Sequence, residues 1–298
     1  MINLAAVKIL VYADANEKER NAGKELSVAE RNEQEKRLLN EVLPNVAAQM
    51  RAPLSILYAA QQDMISQNAP NAALLNRSYY QMMRLAGNLS AADLLNEDSY
   101  LRDESNEDIV AFCAKLGERV RPLLEAEGLH FRCVYPQQGC VMLYSESMVE
   151  RALLNLISNA VKFTPAGGSV TLSVQVQQQD VLLSVSDTGC GIAEDKMDTL
   201  FDRYLHSERM DPAPHGLGLG LPLCRAIASM HGGKVFAESR AGRGTRITVV
   251  LPILKSPINR VKDTRFDYTG GFSHVLVELS DALGAQAYQA KAKTKTEE

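Results

Sequence analysis

The chain has 298 residues, 46% apolar and 23% charged, the balance of a soluble globular protein long enough for one large domain or two modest ones. A formal net charge of −4, without a basic excess, excludes the electrostatic footprint of nucleic-acid binding. The five cysteines (Cys113, Cys133, Cys140, Cys190 and Cys224) are odd in number, widely spaced and without a CxxC pair, which argues against a disulfide framework or zinc cluster and for reduced thiols in a cytoplasmic protein.

The first apolar run, Ile2 to Ala13, is interrupted by Lys8. It falls short of the ~20 apolar residues of a membrane helix. No small-residue cleavage site follows, so neither a membrane segment nor a signal peptide is expected in this chain. Residues 14–37 are densely charged and read as a linker or helical lead-in. A heptad seam then runs through Leu39, Leu43, Val46, Met50, Pro53, Leu57, Ala60 and Met64, widened by Val42, Leu54 and Ile65. Pro44 and Pro53 each remove a backbone donor and should kink this helix. The run at 66–71 is a turn, and a second stripe follows with Leu75, Tyr79, Met82, Ala86 and Leu89. Two such helices make an antiparallel hairpin over 38–100. One hairpin has little core of its own. Pairing through residues 38–97 into a four-helix dimer buries both stripes; the alternative is a monomeric hairpin packed on the C-terminal half.

A loop is expected over 96–108, and a different pattern follows. It predicts a helix over 109–127, strands at 129–135 and 140–143, and a helix over 146–162 with Val149, Leu153, Leu156, Ile157 and Ala160 on one face and Ser145 as its cap. Strands at 169–176 and 181–186, a helix at 219–231 closed by Gly232 and Gly233, and strands at 234–238 and 245–251 complete it. The fold class is α+β: an N-terminal helical hairpin, then helices layered on one face of a mixed sheet. The organisation is 1–37 lead-in, 38–100 hairpin, 106–255 sheet-and-helix domain, and 256–298 a C-terminal extension. That extension holds one alternating apolar run at 274–279 and a polar, disordered end.

Four segments carry candidate chemistry. Asn155, Asn159 and Lys162, spaced four and three apart, share a helix face. Asparagine oxygens suit a magnesium ion that keeps most of its waters and bridges phosphates, and the lysine would neutralise phosphate charge. Asp187-Thr188-Gly189-Cys190-Gly191 ends an apolar strand; its carboxylate can accept a hydrogen bond from an exocyclic amine, and its glycines admit a flat ring. Gly216, Gly218 and Gly220 open a helix whose backbone amides can cradle phosphate oxygens. Gly242-Arg243-Gly244-Thr245 turns into the last strand. Each segment alone has an ordinary explanation: polar residues on a solvent face, a turn, a flexible hinge, a hairpin turn. A dinucleotide fold fails on context, because no strand immediately precedes the glycine triplet.

Their order and intervals resemble the N box and the three glycine boxes of the sensor histidine kinase ATP-binding domain, a Bergerat-type α/β sandwich. Leu200-Phe201-Asp202-Arg203-Tyr204 resembles the F box of that family. The resemblance covers about half the chain and implies ATP and Mg2+ as ligands. It implies that Asn159 binds the metal, that Asn155 and Lys162 support the phosphates, and that Asp187 reads the adenine amine. Gly189 and Gly191 would line the base pocket, Thr245 would lie near the adenine, and Tyr204 belongs to the nucleotide-binding set. Residues 205–220 would form a lid, made flexible by Gly216, Gly218 and Gly220. Relatives of the gyrase, chaperone and mismatch-repair type place a water-activating glutamate where this chain has Asn155, which disfavours ATP hydrolysis and favours phosphoryl transfer to a protein side chain.

The H box departs from the family. The matching stretch is Ala48-Gln49-Met50-Arg51-Ala52-Pro53-Leu54. Ala48 replaces the phospho-accepting histidine, Gln49 the acidic base and Ala52 the polar residue that aids dephosphorylation of response regulators. Three changes together point to natural degeneracy of the usual autophosphorylation site or to an acceptor elsewhere. None of the histidines, His130, His206, His215, His231 and His274, lies in the hairpin. His206 and His215 fall in the lid, His231 reads as a helix C-terminal residue favoured by the dipole, and His130 and His274 as strand-edge residues. The candidate functions are a histidine-kinase-type phosphotransferase in a two-component pathway, acting as a homodimer or with a related kinase and a response regulator; a non-catalytic ATP-dependent switch; and a plain ATPase.

Overall fold

The computed structural model describes residues 72–94, 104–197, 200–201, 220–256 and 273–288. The readings made for 1–71, including Ala48, Gln49 and Ala52, for the lid with Tyr204, Gly216 and Gly218, and for 289–298 lie outside the described residues.

The second stripe is helical, as expected: helix α1 spans Ala72–Leu94. Leu74 and Tyr79 are exposed on it, whereas Ser78, Arg84 and Leu85 are buried. Strand β1, Glu104–Asp108, lies where a loop was expected. Its sequence ESNED is poor in strand formers. Antiparallel pairing with β3 (Val141–Ser145), in the register Glu104↔Ser145 to Asp108↔Val141, overrides that weak preference. Asp108 then caps helix α2 (Ile109–Ala126): Oδ1 accepts from the N–H groups of Val110 (2.9 Å) and Ala111 (3.2 Å), and also from Cys140 (3.0 Å).

The main sheet has the order β2-β4-β5-β7-β6. Strand β2 (His130–Val134) runs parallel to β4 (Ser169–Val176); β4 with β5 (Asp180–Asp187), β5 with β7 (Thr245–Pro252) and β7 with β6 (Lys234–Ser239) are antiparallel. Alternation along the central strands puts Leu172, Val185 and Ile247 in one cross-strand row and Val174, Leu183 and Val249 in the next, all buried. Helix α3 (Glu146–Phe163) packs on this layer with Val149, Leu153, Leu156, Ile157 and Ala160 inward, and Ser145 Oγ accepts from the N–H of Met148 as its cap. Helix α4 (Gly220–Met230) lies beside it. Gly232, at φ 71°, ends α4 with N–H bonds from Gly232 to Ser229 O and from Gly233 to Ala228 O.

His231 stands at the end of α4 as expected, with a second partner, and the assignment of His274 changes. His231 is buried, its Nε2 accepting from the N–H of Ser145 (3.1 Å) and its Nδ1 lying 2.7 Å from Ile227 O. With Nε2 an acceptor, Nδ1 carries the hydrogen. The ring is therefore a neutral tie between α4 and the start of α3 rather than a charge at a helix end. His274 is not on a strand edge. Residues 274–279, expected to alternate, form helix α5 (His274–Glu278) and the turn after it. Val275, Leu279 and Leu283, four apart, are buried in the common core, so the pattern that counts has a helical period and extends beyond the six residues that look alternating. A 3-10 turn at Ala285–Tyr288 follows, and Tyr288 packs on Tyr80 of α1 with ring centroids 5.1 Å apart. The segment 273–288 is thus part of the fold, laid between α1 and α3. Among the described residues no helix is long and apolar enough to cross a membrane. All five cysteines are free thiols.

Candidate nucleotide site

One end of the site is built where β5 stops. Asp187 is the last residue of that strand, and the register Ser186↔Arg246 brings it beside Thr245 at the start of β7. Its Oδ1 accepts from the N–H groups of Gly189 (2.8 Å) and Thr245 (3.2 Å). No group among the described residues hydrogen-bonds Oδ2. Burial pushes the Asp187 carboxyl above its ordinary value, against the pull of those two N–H donors. A half-buried carboxylate with one oxygen pinned and the other open is an acceptor aimed by backbone.

The glycines around it leave no room for a side chain. A Cβ on Gly189 would stand 2.2 Å from Phe163 O. Gly191 has φ 67°, and a Cβ there would stand 2.1 Å from Arg240 O. The loop is tied on both sides: the N–H of Cys190 donates to Phe163 O, at the end of α3, and the N–H of Gly242 donates to Cys190 O. Ser239 Oγ completes the floor, receiving the N–H of Ile192 and lying 2.9 Å from Thr245 Oγ1. Gly191→Ala should lower the melting temperature. The left-handed conformation alone costs a non-glycine residue about 1–2 kcal/mol, and the contact with Arg240 adds to that. A thermal melt indistinguishable from wild type would show that the loop is not held in this conformation.

The other end of the site is on α3. Asn155 and Lys162 both face the segment 278–281, as their seven-residue spacing requires. Asn155 is fully buried; its Nδ2 donates to Arg151 O (3.0 Å) and Glu278 Oε2 (3.2 Å), and its Oδ1 accepts from Arg84 Nη2 (3.3 Å). Gly220 opens α4 directly against it, where a Cβ would stand 2.8 Å from Asn155 Oδ1. Asn159 is half-buried one turn further along. Lys162 Nζ lies 3.4 Å from Asp281 Oδ2, whose other cation is Arg84 Nη1 at 2.7 Å. Burial, and then Arg84, push the Lys162 amine below its ordinary value, and Asp281 opposes the shift. Burial would raise the Asp281 carboxyl, but Arg84 and Lys162 together hold it below its ordinary value.

The structure therefore brings Asp187, Gly189, Gly191 and Thr245 together at one end, and Asn155, Lys162 and Gly220 at the other. Arg84, Glu278 and Asp281 were not anticipated at this place. The available signal was the four-residue spacing of Val275, Leu279 and Leu283; nothing in the sequence sets Arg84 apart from Arg77 on the same helix. Among the described residues no cluster of three or more histidine, cysteine or carboxylate side chains could hold a metal.

Residues 144–255 match the family model described as histidine kinase-, DNA gyrase B- and HSP90-like ATPase. The chain is 37% identical over 134 residues to histidine protein kinase DivJ of Caulobacter vibrioides, covering 45% of this chain and 22% of that protein. It is 29% identical over 236 residues to sensor histidine kinase WalK of Bacillus subtilis, covering 75% of this chain and 38% of that one. The crystal structure of full-length ShkA in complex with AMPPNP superimposes with a TM-score of 0.53 at 25% identity, covering 65% of this chain and 40% of that one. This chain thus spans well under half the length of DivJ, WalK and ShkA. The segment 144–255 is thus similar to the ATPase domain of these kinases, and its sheet-plus-helix architecture fits the Bergerat nucleotide fold.

Proposed function

We propose that this chain is a histidine-kinase-type signalling protein that binds Mg-ATP between the end of β5 and helix α3, within a domain spanning 106–255. The observation that carries the reading is Asp187: a carboxylate oriented by two backbone N–H groups at a strand end, with its second oxygen open, and floored by glycines where a side chain would clash. Asp187 holds the adenine amine, and Gly189, Gly191 and Thr245 line the base. Asn159 takes the magnesium ion, and Asn155 and Lys162 serve the phosphate end. Tyr204, Gly216, Gly218 and Gly220 belong to the segment that covers the nucleotide. Bound ATP would supply the γ-phosphoryl group for transfer to a protein side chain.

The chain acts as a dimer through residues 38–97, with itself or a related kinase, in the cytoplasm and upstream of a response regulator. Ala48, Gln49 and Ala52 stand where the family has its acceptor, base and dephosphorylation residues, so the acceptor belongs to another chain or another position. A second reading, a non-catalytic ATP-dependent switch, draws on those same replacements and on the ion pair that already engages Lys162. Calorimetric titration with Mg-ATP, then incubation of the same sample with γ-labelled ATP and a histidine-bearing kinase hairpin, tests both. Binding with label on the partner hairpin is the expected result. Binding without label favours the switch, and absence of binding removes the nucleotide reading.

A further inference from the structure

Residues 273–288 meet the phosphate end of the site with carboxylates rather than with apolar side chains alone. We infer that this C-terminal segment is an anionic latch on the nucleotide site: Asp281 occupies the cations that would meet ATP phosphate, so that nucleotide binding and docking of the segment oppose one another. The inference rests on the reading of α3 as the phosphate-facing helix.

The geometry carries it in three steps. First, Asp281 Oδ2 sits 2.7 Å from Arg84 Nη1 and 3.4 Å from Lys162 Nζ, a guanidinium and an ammonium converging on one anionic oxygen. A phosphate oxygen asks for the same arrangement, and one cation pair cannot serve both anions at full strength. Second, the two carboxylates of the segment are in different situations. Glu278 is fully buried, whereas the Asp281 side chain keeps 23% of its surface. Asp281 thus lies nearer the surface than Glu278, and its exposed edge is where a soluble anion first meets the Arg84 and Lys162 pair that it covers. Third, the segment is bolted to the preceding helix as well as to the nucleotide domain. Asn76 Nδ2 donates to Tyr288 O, and Arg77 Nε and Gln81 Nε2 both reach Ser280 O. While it is docked, α1 and α3 are held together. Release by nucleotide would free the domain to move relative to the helix before it.

Linkage fixes the expected signs. A site whose competent state is partly occluded binds with an affinity reduced by the open fraction, and the nucleotide must favour the undocked segment by the same factor. The test uses the full chain. Mg-ATP affinity is measured by calorimetry for wild type, Asp281→Asn and Tyr288→Ala, and amide exchange of 273–288 is followed in wild type with and without Mg-ATP. Asp281→Asn removes the competing charge. Tyr288→Ala loosens the segment from α1 without touching α3, and it carries the test should the first variant fold poorly. Both variants are expected to bind Mg-ATP roughly tenfold tighter than wild type, and exchange in the segment should speed up when nucleotide is added. Equal affinity in wild type and variants, with unchanged exchange, overturns the latch while leaving the nucleotide site in place. Weaker binding by Asp281→Asn also overturns it, because Asp281 would then be helping to hold the nucleotide. If no form of the protein binds Mg-ATP, the nucleotide reading itself fails and the latch falls with it.

Discussion

Asp187→Asn should weaken Mg-ATP binding by up to about a hundredfold and yet melt no earlier than wild type. The substitution keeps an oxygen for the Gly189 and Thr245 N–H groups, which already share Oδ1. It turns the other oxygen into an NH2 group that faces the adenine amine, donor against donor. Losing a hydrogen bond to a charged acceptor costs about 1.5–3 kcal/mol, and the upper part of that range corresponds to roughly a hundredfold in Kd. The stability half of the expectation follows from the sign of the pKa shift. The folded carboxyl is raised above its ordinary value of 3.8. Folding therefore favours its protonated form, a contribution present in acid and lost as pH rises through the folded value. At neutral pH the charged carboxylate costs the empty protein stability, and a neutral amide relieves that cost. Calorimetry and a thermal melt on the same preparation check both halves. A Kd within twofold of wild type would mean that Asp187 does not read the base; a large fall in melting temperature would mean that its two N–H bonds are structural.

The parts of this fold legible in the sequence are those whose side chains report a single environment. Val170, Leu172 and Val174 alternate because one face of β4 meets α3 and the other does not, and Leu183 and Val185 do the same on β5. Ser145 announces α3 because a hydroxyl before an amphipathic run has an N–H to cap. The turn after β5 is legible because glycines directly follow an apolar strand. What the sequence hides is pairing in which the backbone does most of the work, or in which both partners are remote. ESNED becomes β1 only because β3 offers it a ladder. His231 is legible as a helix end, but its second partner, Ser145, 86 residues earlier in the chain, is not. In the extension, the polar residues that alternate with Val275, Val277 and Leu279 are themselves buried or bonded. Glu278 is inside and His274 meets Glu150, so a pattern that resembles a one-sided strand belongs to a helix enclosed on nearly all sides.

Glu278→Ala is expected to lower stability by about 3–5 kcal/mol, the usual cost of removing one partner from a buried ion pair. Glu278 lies between two guanidiniums: Oε1 is 3.2 Å from Arg151 Nε and Oε2 is 3.4 Å from Arg84 Nε, with all three side chains buried. These contacts meet the distance of an ion pair but not the alignment of a hydrogen bond. The carboxylate's main service is therefore charge neutralisation, together with the aligned bond it accepts from Asn155 Nδ2. Without it, two cations face each other in the core and the Asn155 amide loses an acceptor. The protein has one escape, which is to release 273–288 and let water reach Arg84 and Arg151. Release exposes Val275, Leu279 and Leu283, each worth about 1.5–3 kcal/mol when buried, so either route is costly. For a folded region of this size the loss corresponds to a fall in Tm of roughly 10 °C. The two routes separate in amide exchange. Global destabilisation speeds exchange in β4, β5 and β7 in step with the tail, whereas release speeds exchange in 273–288 and leaves the sheet protected. Release would reproduce, by mutation, the state that nucleotide is expected to favour. A Glu278→Ala protein that melts and exchanges like wild type would show that the segment does not dock on α3 in solution, and the opposition between tail and nucleotide would lose its physical basis.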